Sequence, residues 1–195
     1  NNIALGTSAL TAITQGTNNI AIGNATADVL TTGANNIAMG LNAYGTAAAG
    51  TYNIAIGNTA MGGSLVTGAD NIAMGRTAMD ALLAGADNVA IGREAYGTAE
   101  AGTYNIAIGN TAMGGSLVTG LSNVAIGQNT ADALTSGACN IALGRDALGA
   151  ATIGLTNIAI GLSAMSGVTT GQADGNIAIG INALAGHSSM SGNHN

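Results

Sequence analysis

Acid–base, nucleophilic or metal chemistry needs several reactive side chains brought to one place, and this sequence offers few. The 195 residues include two His, nine Asp and Glu together, three Arg, no Lys and one Cys. His187 and His194 could ligate a metal through their ring nitrogens, but they sit among Ser, Gly and Asn in residues 187–195, which read as a polar C-terminal tail. Asp28, Asp80 and Asp132 recur every 52 residues. On a stacked repeat that spacing places them roughly 14 Å apart, too far for a carboxylate pair to share a catalytic task. Cys139 has no His at a recognisable spacing, and a single thiol excludes an internal disulfide framework. No calcium-binding G-G-x-G-x-D coil is present. These residues give no catalytic, cofactor or metal site, so the expected class is not an enzyme, a β-helical glycan lyase included.

Tyr52 and Tyr104 are the remaining candidates. Each precedes an Asn at a position otherwise held mostly by Asn, Asp, Ser or Thr. They read either as exposed rings for a surface contact, such as a sugar, or, with Tyr44 and Tyr96, as covers for an adjacent turn.

The composition narrows what can position such groups. There is no Pro, Phe or Trp, 32 residues are Gly, and only 6% are charged, against 47% hydrophobic. This is opposite to a disordered composition, and the core has to be built from Ala, Ile, Leu, Met and Val. A net charge of −6 with three cations argues against nucleic acid or an anionic membrane as partner. Mean hydropathy is positive, yet Gly, Asn or Thr interrupts every apolar run before the roughly 18 residues that a spanning helix needs. The chain opens at Asn1-Asn2 already in register with its repeat, which reads as a segment of a longer protein.

That repeat is the dominant feature. Asn-(Ile/Val)-Ala-(Ile/Leu/Met)-Gly occurs eleven times, beginning at Asn2, Asn19, Asn36, Asn53, Asn71, Asn88, Asn105, Asn123, Asn140, Asn157 and Asn176. The intervals are 17 or 18 residues, with one of 19 at the end. A period so short predicts an all-β parallel solenoid, one coil per repeat, over residues 1–186 as a single domain. Gly density rules against helix. The motif alternates with period two, so it predicts a strand, with a second strand in segments such as Ala78–Leu82. Ile and Val are expected to face the interior. The Asn column is expected to form a buried amide ladder, and the motif Ala column to form a small-residue stripe on the outside. Charges fall in a few columns, read as solvated turns: Arg76, Arg93 and Arg145 five residues after the Asn, Glu94 and Asp146 six after, Asp28, Asp80 and Asp132 nine after, Asp70 and Asp87 one before. Residues 43–69 recur from Ala95 with two differences, a duplication of three coils.

The motif and its surroundings, as in Gly102-Thr103-Tyr104-Asn105 to Gly109 and Ala112, resemble the YadA-type head repeat of trimeric autotransporter adhesins, and similar repeats of phage tail fibres. The resemblance implies a left-handed parallel β-roll, a homotrimer and an extracellular place on a virion or bacterial surface, where the chain attaches to a receptor or glycan. The period here is longer than that of the usual adhesin repeat and favours the fibre branch. An exposed small-residue stripe is also what an ice-binding solenoid presents, although no Thr-x-Thr column runs along the chain; Thr31-Thr32 and Thr169-Thr170 read as turns.

Overall fold

A computed structural model describes residues 1–168 and 174–186. The expected polar tail with its two His, the Thr169-Thr170 pair and part of the Gly171–Gly175 stretch lie outside the described residues.

The chain forms a parallel β-solenoid. Eleven three-residue strands, from β1 (Ile3–Leu5) to β11 (Ile177–Ile179), build one sheet in strict sequence order. Every neighbour is parallel and in register, so each motif Ala lies beside the Ala of the next coil. With strands about 4.8 Å apart, eleven coils span on the order of 50 Å. Backbone bonds continue around the coil. The Ile3 N–H donates to Asn19 O at 2.8 Å in the following coil, while the Gly23 N–H donates back to Leu5 O at 2.8 Å.

The structure reverses the expected sides of the strand. The motif Ala residues from Ala21 to Ala178 are at most 2% exposed, and Asn19 to Asn176 are buried with them. Ile, Val, Leu and Met of the same strands point outward, half-exposed or exposed. The small-residue stripe is therefore inside, and the branched aliphatics form the outer face. The reason is space. A coil this short encloses a narrow cross-section, which the ladder Asn, two small side chains and one or two larger ones already fill.

Those larger side chains come from the segment expected to be a second strand. Ala78–Ala81 is instead turn and Leu82 follows it outside any strand, with Thr77 and Met79 at φ of 54° and 51°. This left-handed winding turns Ala78, Met79 and Leu82 all inward, which an alternating strand cannot do. The same two positions are left-handed in every coil, at roughly 1–2 kcal/mol each for a residue with a Cβ. Backbone bonds to adjacent coils offset that cost. Sizes compensate inside the coil: Tyr44 is followed three residues on by Ala47, Tyr96 by Ala99, and conversely Ala27 by Leu30 and Ala131 by Leu134, all buried. The strand-ending Gly column is required by packing as well as by φ near 135°, since a Cβ on Gly75 would run into the Gly92 carbonyl.

The ladder is the most repetitive contact. Asn88 Oδ1 accepts the Asn105 N–H at 2.9 Å, while Asn88 Nδ2 donates to Asn71 Oδ1 at 3.0 Å and to Gly102 O at 2.8 Å. Each carboxamide thus ties three coils together. In two coils a phenol enters the ladder: Tyr44 and Tyr96 are buried, and their hydroxyls accept from Asn53 Nδ2 at 2.8 Å and Asn105 Nδ2 at 2.7 Å. These two rings are core, and neither covers a turn.

Replacing Asn88 by Ala strands the Asn105 N–H and the Gly102 carbonyl. It should lower the free energy of unfolding in urea by about 1–3 kcal/mol with circular dichroism at 25 °C unchanged. Burial holds the Tyr44 and Tyr96 phenols well above the ordinary tyrosine range, the bonds from Asn53 and Asn105 offsetting part of the shift. Their folded pKa exceeds the unfolded value, so the stability they contribute is complete below about pH 10 and is lost as pH rises further. A urea series from pH 8 to 11 should show this loss, and the double variant Tyr44→Phe, Tyr96→Phe should show a shallower one.

Candidate functional surfaces

Two surfaces stand out, one apolar and one acidic. The apolar surface follows from the strand's period. Across one coil, alternate residues Asp70, Ile72, Met74 and Arg76 lie outside, while Asn71 and Ala73 are buried. Stacking gives two central aliphatic columns with a mostly polar column along each edge, Leu41, Leu162 and Ile181 being the aliphatic members of the edge that carries the Arg. The aliphatic strip runs along all eleven strands and covers on the order of 600 Å², at the upper end of the largest patch on an ordinary monomer, a patch that is often functional.

Tyr52 and Tyr104 stand on one edge, 59% and 62% exposed, three coils apart. They are free to touch another molecule, unlike Tyr44 and Tyr96. Between them on the same edge are Asp70 and Asp87, both exposed. Cys139 is on this edge too, also exposed. The opposite edge carries all three Arg. Arg76 and Arg93 both approach Glu94 Oε1, at 3.8 and 3.7 Å, and Arg145 meets Asp146 at 3.4 Å. Pairs this exposed contribute little to folding. The ladder Asn residues expected as structural are bonded within the chain, and all but the exposed Asn2 of the first coil are buried.

The acidic surface is an open groove of about 900 Å³ on the turn side, crossing several coils. Asp80, Glu94, Asp132 and Asp146 line it over a floor that includes Gly97, Gly114 and Gly149. Asp80 and Asp132, expected as solvated turn residues, are half-buried. Each accepts a hydrogen bond from the backbone of the preceding coil, Gly63 and Gly115 respectively. A Cβ on Gly63 would sit 2.6 Å from Asp80 Oδ2, so the glycine makes room for the carboxylate. The signal in the sequence is the Gly62-Gly63 and Gly114-Gly115 pairs, each one repeat before its Asp, whereas Thr11 occupies the matching place before Asp28. Among the described residues, Oδ1 of Asp80 and of Asp132 is buried with no hydrogen-bond partner. Chemically the groove sets four carboxylates among the hydroxyls of Thr77, Thr98, Thr111 and Ser166. Among the described residues no three His, Cys, Asp or Glu converge to hold a metal, and no helix is long and apolar enough to cross a membrane.

Desolvation raises the pKa of Asp80 and Asp132, the Gly63 and Gly115 bonds working against it and the neighbouring Asp146 adding to it for Asp132. A carboxyl with a higher pKa folded than unfolded favours the native state at low pH and loses that contribution as pH rises through the folded value. Asp80→Asn with Asp132→Asn should therefore raise the thermal midpoint at pH 7, with the gap closing as the pH is lowered to about 4, below which the wild-type carboxyls are protonated too. Scanning calorimetry across that range checks the sign.

Comparison of the chain with protein-family models, with curated proteins and with solved structures gave no match.

Proposed function

We propose that this chain is a structural and adhesive rod, a fibre module that assembles side by side as a homotrimer and serves attachment at a virion or bacterial surface. The observation that carries the reading is the aliphatic strip, continuous over eleven coils of the solenoid and left uncovered by the described residues. Burying such a strip against its own copies removes it from water at about 25 cal/mol per Å². The trimer and the surface location rest on the resemblance of the repeat to adhesin heads and tail fibres. The rod supplies length, and its repeated columns supply many modest contacts whose sum is avidity. Tyr52 and Tyr104, exposed in the single chain, stand on the edge of that strip where copies meet.

Sedimentation equilibrium tests the assembly. A mass about three times 18.6 kDa is expected. Replacing outward Ile54, Ile72 and Ile106 by Asp should yield a folded monomer. A wild-type monomer at all concentrations would overturn the reading.

A further inference from the structure

The two edges of the aliphatic strip differ in charge, and the difference has a pattern. In the fifth coil, Asp70 stands on one edge and Arg76 on the other; in the sixth, Asp87 and Arg93 hold the same places. In both coils one edge column is acidic and the other basic. Among the described residues neither Asp70 nor Asp87 forms a salt bridge, and each stands six positions before the Arg of its own coil, up to about 20 Å of extended backbone. Arg76 and Arg93 share the single carboxylate of Glu94, which leaves that edge with a surplus positive charge.

Symmetry decides what these charges do. When copies surround an axis parallel to the rod, the acidic edge of one copy meets the basic edge of the next at the same height. Asp70 then faces Arg76 of the neighbouring copy, and Asp87 faces Arg93. Antiparallel face-to-face copies, turned about an axis across the rod, bring acid to acid and base to base. An antiparallel arrangement that sets the fifth and sixth coils of one copy against those of another therefore puts like charges together. Slippage is disfavoured too. A shift of one coil keeps a single pair, because Asn58 or Asn110 replaces the second Arg.

We infer that Asp70 and Asp87 on one edge and Arg76 and Arg93 on the other are a self-recognition device that makes copies of this chain associate parallel and in register. The inference rests on the side-by-side assembly proposed above: the aliphatic strip supplies affinity, and the edges supply orientation.

The test uses charge reversal and cross-linking on the full chain. Asp70→Arg with Asp87→Arg makes both edges basic and should weaken association by roughly tenfold, an effect that shrinks at 1 M salt. Adding Arg76→Asp and Arg93→Asp swaps the edges and should restore the wild-type mass. Orientation is read through Cys139. With Arg145→Cys, a short bis-maleimide should join the two positions between copies, because both belong to the ninth coil. Asn35→Cys, on the same edge as Cys139 but in the third coil, should remain unjoined. A wild-type oligomer indifferent to the reversals, or joined through Asn35→Cys, would overturn the device and leave the assembly standing. A wild-type monomer would overturn both.

Discussion

Everything in this fold follows from stacking at the parallel-strand spacing of about 4.8 Å, and the buried carboxamide column is what holds each coil to that spacing. So short a coil has a narrow interior, and its apolar core is a thin column of Ala, Leu, Met, Val and two Tyr beside the Asn ladder. Asn resolves this with a side chain that is small, carries both donor and acceptor, and repeats in register. Its oxygen takes the next coil's backbone N–H, and its nitrogen reaches a turn carbonyl. The ladder satisfies buried backbone at the corner where the strand ladder ends. The left-handed turns cost energy at each coil and are tolerated because both neighbours bond the same winding.

The fold is legible in the sequence because the period is so strict, and the Asn ladder is legible because an unvarying amide column has few other uses. The sidedness is not. A period-two pattern separates two faces without naming which is inner. Branched aliphatics usually take the interior, so the pattern alone assigns Ile and Val there. Asn and Ala share one side of the strand, however, so burying the Asn ladder requires burying Ala21, Ala38 and their equivalents as well. The turn segment misleads for a related reason: Ala78, Met79 and Leu82 are apolar enough for a strand, and only the left-handed φ of Thr77 and Met79 shows that they wind.

The candidate surfaces are partly legible. Tyr52 and Tyr104 stand out as aromatics in a polar column and are exposed, while Tyr44 and Tyr96 have no feature marking them as ladder members until their hydroxyls are placed beside Asn53 and Asn105. The charged columns are visible as columns. Their division into an acidic and a basic edge, separated by aliphatics, becomes meaningful only once the aliphatics are known to face outward.

The direction of the backbone bonds has a mechanical consequence. Force applied along the rod pulls along its hydrogen bonds rather than across them, so every coil interface bears the load in series and opens by peeling, most readily at an end coil that has one neighbour instead of two. Each coil that detaches releases one full repeat, about 55 Å of extended chain in exchange for about 4.8 Å of rod. Under tension such a rod lengthens in quanta, giving up its outermost coil while the rest keeps its shape.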